Sequence, residues 1–121
     1  MSYNLLRGKK GVIFGALNQN SIAWQVAERC FEEGAEILLT NAPVALRMWD
    51  VDELAKKLNT QVIPADATSI EDLENLFKTA IDKFGGKIDF VLHSIGMSPN
   101  VRKGIPYDNS NYDYYLKTLD I

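Results

Sequence analysis

The sequence predicts an α/β fold built on a doubly wound parallel sheet, and three observations carry that prediction. Short apolar runs of strand length alternate with amphipathic stretches of helical period along the chain. The runs are apolar throughout, as expected of strands covered by helices on both faces. The length, 121 residues, suits one domain over 1–121 and leaves no room for a second core.

Gly11-Val12-Ile13-Phe14-Gly15 follows Lys9-Lys10 and reads as the first buried strand. Ser21 to Phe31 then reads as a helix with Ile22, Ala23, Val26, Ala27 and Cys30 on its inner face, stopped by Gly34. Glu36 to Thr40 is the second strand, closed by Asn41-Ala42-Pro43. One helix is expected over Val44–Leu58, with Val51, Leu54 and Leu58 turned inward, and Gln61 to Pro64 is a short third strand. Ser69-Ile70-Glu71-Asp72 combines a cap residue with acidic side chains in a first helical turn. Ile70, Leu73, Leu76, Phe77, Ala80, Ile81 and Phe84 recur behind it at helical spacing, and Gly85-Gly86 ends the helix. Ile88 to His93 is the fourth strand, Met97 to Asn109 a loop, and Asn111 to Ile121 a last helix. Right-handed crossovers and a doubly wound order place the strands 3-2-1-4, a Rossmann-type sheet. Ligands of such sheets lie beyond the carboxyl ends of the strands, at the switch between strands 1 and 4.

Composition narrows the function classes. Hydrophobic residues make up 46% of the chain and charged residues 24%, with a net charge of −3 and no basic cluster of the kind that binds nucleic acid. Cys30 is the single cysteine, so neither a disulfide framework nor a paired-cysteine metal site is expected. A reducing, cytoplasmic setting follows as the default. No apolar run approaches the roughly 18 residues that suggest a membrane span.

Three segments fall where a dinucleotide would lie. Gly15-Ala-Leu-Asn-Gln-Asn-Ser21-Ile22-Ala23 joins the first strand to the first helix, where a tight turn and a helix N-terminus suit a pyrophosphate. It is not G-x-G-x-x-G, because Ser21 and Ala23 stand where glycines are expected, and as a pattern it is equally an ordinary serine-capped loop. Asp66-Ala67, past the third strand, offers a carboxylate to an adenine amino group, or simply a cap to the next helix. His93-Ser94-Ile95-Gly96 ends the fourth strand with small residues that let a ligand approach the backbone. His93, the only histidine, reads more readily as a hydrogen-bonded structural residue than as a catalyst. The stretch Thr40-Asn41-Ala42-Pro43 lacks the acid that often holds the ribose in NAD-binding folds. It also lacks a base for a 2′-phosphate, Arg47 being the nearest.

These residues resemble the bacterial enoyl-acyl-carrier-protein reductases of the short-chain dehydrogenase superfamily. The resemblance rests on Gly15-x5-Ser21-Ile22-Ala23, Glu33-Gly34-Ala35, Thr40, Asp66 and His93-Ser94-Ile95-Gly96, and it runs from Leu5 onward. It implies reduction of a trans-2-enoyl thioester on acyl carrier protein with NADH, the last reductive step of fatty-acid elongation, by a homotetramer. By the same resemblance Gly15, Ser21 and Ile22 hold the pyrophosphate region of NAD, and Ala42 sits near the adenosine. Asp66 and Ala67 flank the adenine, Ser94, Ile95 and Gly96 line the ribose and nicotinamide, and Ser98 lies at the substrate end. The family's catalytic Tyr-x6-Lys pair has no counterpart in place here. Tyr3 and Lys10 have the spacing but flank the wrong end of the first strand, and neither Tyr112, Tyr114 nor Tyr115 has a lysine seven residues on. The expectation is therefore a truncated front part of the enzyme, inactive alone. Its fourth strand would be an uncovered edge and its last helix would lack neighbours. Two other readings stay open: another short-chain dehydrogenase acting on an alcohol or ketone, and a non-catalytic nucleotide-binding module.

Overall fold

A computed structural model of the chain describes residues 2–121. Four parallel strands, β1 (Lys10–Phe14), β2 (Glu36–Asn41), β3 (Val62–Pro64) and β4 (Phe90–His93), form one sheet in the order β3-β2-β1-β4, as expected. Val12 pairs with Leu38 on one side and with Val91 on the other, which fixes the register of the central strands. Gly11 sits opposite Phe90, and a side chain on Gly11 would collide with the Phe90 ring.

Period-two alternation along β1 and β2 divides the core between two faces. Ile13, Ile37 and Leu39 meet α1 (Ile22–Glu32), α2 (Pro43–Met48) and α3 (Val51–Lys57) on one face. Val12, Phe14 and Leu38 meet Leu76, Ala80 and Phe84 of α4 (Ile70–Phe84) on the other. Ser69 caps α4 by accepting the Asp72 N–H at 3.2 Å, and Gly85 closes it in the left-handed region. No helix among the described residues is long and apolar enough to cross a membrane.

Several expectations need correction. Ile22 is 73% exposed, and the inner face of α1 is led instead by Trp24, 2% exposed. At about 100° per residue the buried arc runs from Cys30 through Ala23 and Ala27 to Trp24, and Ile22 falls outside it. Ile70 (74% exposed) and Ile81 (43% exposed) share one uncovered edge of α4, beside an arc already filled by Leu73, Leu76, Phe77, Ala80 and Phe84. The helix expected over Val44–Leu58 is two helices, broken where Trp49 takes an extended conformation and Asp50 stands at the start of α3 without a side-chain capping bond. Val51, Leu54 and Leu58 do face inward. The expected loop 97–109 contains α5 (Pro99–Arg102) and a 3-10 turn, Tyr107–Asn109. The last helix, α6 (Tyr112–Asp120), has a neighbour after all: the Asn100 side chain donates to Asn111 O at 3.1 Å and accepts the Asn111 N–H at 2.8 Å. The edge expectation holds, because β4 ends the sheet and Val91 is 50% exposed.

Two carboxylates unremarkable in sequence tie distant segments together. Glu33, at the end of α1, accepts the backbone N–H groups of Leu5 and Tyr3 at 3.1 and 3.0 Å. Asp89 accepts the Lys10 N–H at 2.8 Å and pairs with Lys87 at 3.2 Å, fastening the start of β4 to β1. The Leu5 and Lys10 hydrogen bonds are the main reasons that these two carboxyls lie below their ordinary ranges. The folded chain therefore binds these protons more weakly than the unfolded chain. Both acids stabilise the fold above the ordinary carboxylate range, and that contribution is lost as pH falls through their lowered values. A thermal melting series should show the midpoint falling below about pH 4. Asp89→Asn should have a lower midpoint at neutral pH and a shallower acid loss; an unchanged acid slope would refute the assignment.

Candidate functional site

The carboxyl ends of the strands open into one cavity of about 800 Å3. Phe14 and Gly15 reach it from β1, Asn41 and Ala42 from β2, Ala65 to Thr68 from beyond β3, and Ser94 to Ser98 from beyond β4. The walls are completed by α2 with Trp49, by α5, and by the end of α6. The arrangement follows from the topology: the crossover from β1 to β2 through α1 lies on one face of the sheet and that from β3 to β4 through α4 on the other, so a cleft opens at the switch between β1 and β4.

Gly15 is the pivot. Its φ of +104° is a backbone conformation that other residues rarely adopt, and its N–H donates to Thr40 O at 3.2 Å. A side chain here would strike the Ser94 carbonyl. The strand-1 and strand-4 ends can therefore approach only because residue 15 is glycine.

The following loop is tied by its own side chains. The Ser21 hydroxyl accepts the Leu17 N–H at 3.2 Å and donates to Asn18 O at 2.7 Å. It makes no cap bond to α1, whose first internal bond is Gln25 N–H to Ser21 O at 3.2 Å. The N–H groups of Ile22, Ala23 and Trp24 are left at the positive end of a helix with no acidic residue in its first turn. Ser21 and Ile22 do not line the cavity, unlike the other expected site residues. Ser21 shapes the loop, and Ile22 contributes to the helix N-terminus with an exposed side chain.

Asp66 is exposed beside the cavity and accepts both the Thr68 hydroxyl at 2.7 Å and the Thr68 N–H at 2.9 Å through one oxygen. Those bonds, the hydroxyl first, hold its carboxyl below the usual range, so it remains an acceptor with its second oxygen free of these bonds. It does not cap α4, which Ser69 does. Ala67 lies beside it on the wall. Ser94, Ile95 and Gly96 form the opposite side, and a Cβ added at Gly96 would meet nothing within 4 Å. Ser98 lines the cavity and caps α5 by accepting the Val101 N–H at 3.4 Å. His93 is exposed, with its ring 6.5 Å from that of Phe14, and its side chain makes no hydrogen bond among the described residues. The expected hydrogen-bonded role is therefore replaced by an aromatic contact.

Sequence reasoning missed Asn41. It is 7% exposed, donates to Ala16 O at 3.0 Å and accepts the Ala42 N–H at 2.8 Å, locking the end of β2 to the glycine loop. Its signal was available: a polar residue stands at the strand end where an acid was sought. Arg102 and Lys117 are the basic residues on the cavity wall, and Arg47 is not on it.

Comparison with known proteins agrees with this geometry. Residues 15–121 match the family model described as enoyl-(acyl carrier protein) reductase. The chain is 37% identical over 118 residues to the enoyl-[acyl-carrier-protein] reductase [NADH] 1 of Rhizobium meliloti, covering 97% of this chain and 43% of that protein. It superposes on the FabI-NADH complex from Alistipes finegoldii with a TM-score of 0.94 at 68% identity, covering 98% of this chain and 42% of that one. It also superposes on the enoyl-[acyl-carrier-protein] reductase (NADH) of Aquifex aeolicus with a TM-score of 0.81 at 30% identity, covering 96% of this chain and 46% of that one. The chain thus spans less than half the length of these relatives. With the strand order, the Gly15 turn and the shared cleft all in place, the chain belongs to the enoyl-(acyl carrier protein) reductase family.

Proposed function

We propose that this protein takes part in reducing trans-2-enoyl thioesters on acyl carrier protein to acyl thioesters with NADH, in fatty-acid elongation. The observation that carries the reading is the convergence of all four strand ends on one cleft, in a chain of this family. The residues fit a dinucleotide. The α1 N-terminus and the Gly15 turn suit a pyrophosphate, and ionised Asp66 suits the adenine amino group. Gly96 leaves open space that the protein itself does not require. In this reading Ala42 and Ala67 border the adenosine, Ser94 and Ile95 the ribose and nicotinamide, and Ser98 the substrate end. NADH, when bound, supplies the hydride to the β-carbon of the enoyl thioester. The present residues bind and orient it, and no Tyr-x6-Lys pair is among the described residues that line the cleft. In this reading the exposed Tyr112, Tyr115, Leu116 and Leu119 of α6 offer an apolar face to the homotetramer that the family resemblance implies, and a single cysteine suits a reducing, cytoplasmic setting.

The test compares crotonyl-thioester and ketone reduction by a version extended to the length of the relatives. Turnover of the enoyl substrate with NADH is expected. Turnover of ketones alone would favour another short-chain dehydrogenase, and binding of NADH without any turnover would favour a nucleotide-binding module.

Gly96→Val gives a sharper check on the site. It should weaken NADH binding at least about tenfold, equivalent to ~1.4 kcal/mol, while leaving the melting temperature nearly unchanged, because a Cβ at this position meets nothing within 4 Å. Loss of stability with intact NADH binding would remove Gly96 from the site.

A further inference from the structure

The adenosine end of the cleft lacks the usual polar clamp, and an aromatic residue stands beside the gap. In Rossmann-type sheets an acid at the end of the second strand holds the adenine ribose. Here that position offers Asn41 and Ala42. Asn41 is consumed by the Ala16 carbonyl and the Ala42 N–H, and Ala42 has no polar side chain. What remains on this wall is apolar: Val44, Met48 and Trp49, all exposed along the cleft.

Trp49 is the largest of them and is placed by the break between α2 and α3. Its extended backbone, φ −132° and ψ 150°, takes it out of helical register. Its N–H donates to Ala45 O at 3.0 Å and keeps the residue against the end of α2. The residue is 42% exposed and, among the described residues, its ring makes no aromatic contact and no indole hydrogen bond. An apolar ring held open beside a cleft also lined by Asp66 and Thr68 has the chemistry of a stacking platform for a purine. The single break in the α2–α3 segment thus puts its most polarizable side chain where the polar clamp is missing.

We propose that Trp49 binds the adenine of the dinucleotide by stacking, replacing the carboxylate that clamps the ribose in related folds. The proposal rests on the cofactor reading above. Adenine would then be held by the Trp49 face and by a hydrogen bond from its amino group to Asp66. Recognition at this end is of the base rather than of the ribose hydroxyls. AMP alone should therefore bind, and nicotinamide mononucleotide should not depend on Trp49.

The two tryptophans make the test direct, because Trp24 is buried in the core and Trp49 faces the cleft. AMP and NAD+ are titrated into the chain while indole emission is followed, and affinities are measured independently by calorimetry. Quenching is expected in the parent chain and its loss in Trp49→Phe, which should keep affinity within about threefold because a ring remains. Trp49→Leu should weaken both AMP and NAD+ by about tenfold or more and leave nicotinamide mononucleotide unchanged. Circular dichroism of each variant excludes misfolding as the cause. NAD+ binding that Trp49→Leu does not alter would overturn the role of Trp49 and leave the cofactor reading standing. Failure of both the chain and its extended version to bind NAD+ would overturn the cofactor reading and this inference with it.

Discussion

Gly15→Ala is expected to destabilise the chain by roughly 2–5 kcal/mol, a large share of the roughly 5–15 kcal/mol typical of a folded domain. Two costs add. The φ of +104° is one that alanine strongly disfavours, and the new methyl group would collide with the Ser94 carbonyl. Neither can relax cheaply. Gly15 N–H is bonded to Thr40 O, and Ser94 follows directly from β4, whose register with β1 is fixed from Gly11 to Phe14. Relief requires moving β4 away from β1, which opens the cleft at the switch point. Urea denaturation should show the midpoint falling, and NADH binding should fall with it. The contrast with Gly96→Val is informative. Both glycines border the same cleft, yet one is required by the protein's own backbone and the other only by what enters the cleft. An unaltered urea midpoint for Gly15→Ala would refute this account of the turn.

Trp24→Ala is expected to cost about 3–5 kcal/mol, the range for deleting a large buried aromatic side chain. Trp24 is 2% exposed within the cluster formed by α1, α3 and the central strands, among Ile13, Leu39, Val51 and Leu54. Removing its ring leaves a cavity between helices that short strands cannot close by collapse. Trp24→Phe should cost less, because much of the volume is kept. Ile22→Ala is the control. Two positions away and 73% exposed, it should change stability by no more than about 0.5 kcal/mol. Chemical denaturation of the three variants checks the ordering, and equal costs for Trp24→Ala and Ile22→Ala would mean that α1 packs in a different rotation.

The errors in reading α1 and α4 have a common physical source. Helical periodicity locates an apolar stripe but not the width of the sheet beneath it. Ile22, Ile70 and Ile81 satisfy the spacing, yet they lie on the margins of arcs already filled by Trp24 or Phe77 and their neighbours. The Val44–Leu58 segment failed differently. Its apolar pattern continues across Trp49, but the chain turns there, and that turn brings Trp49 to the cleft.

By itself the sequence determined the strand-helix alternation, the parallel order and the strand ends where a nucleotide would lie. Buried apolar runs of strand length, capped helices and right-handed crossovers allow little else. Tertiary structure alone decided which loop residues share a cleft. Ser21 turned inward to tie its own loop, Asn41 was spent joining two strand ends, and Gly15 proved necessary because of a carbonyl far along the chain. The reason is that hydrogen-bond partners and close contacts depend on residues brought together by folding, and no local pattern records them.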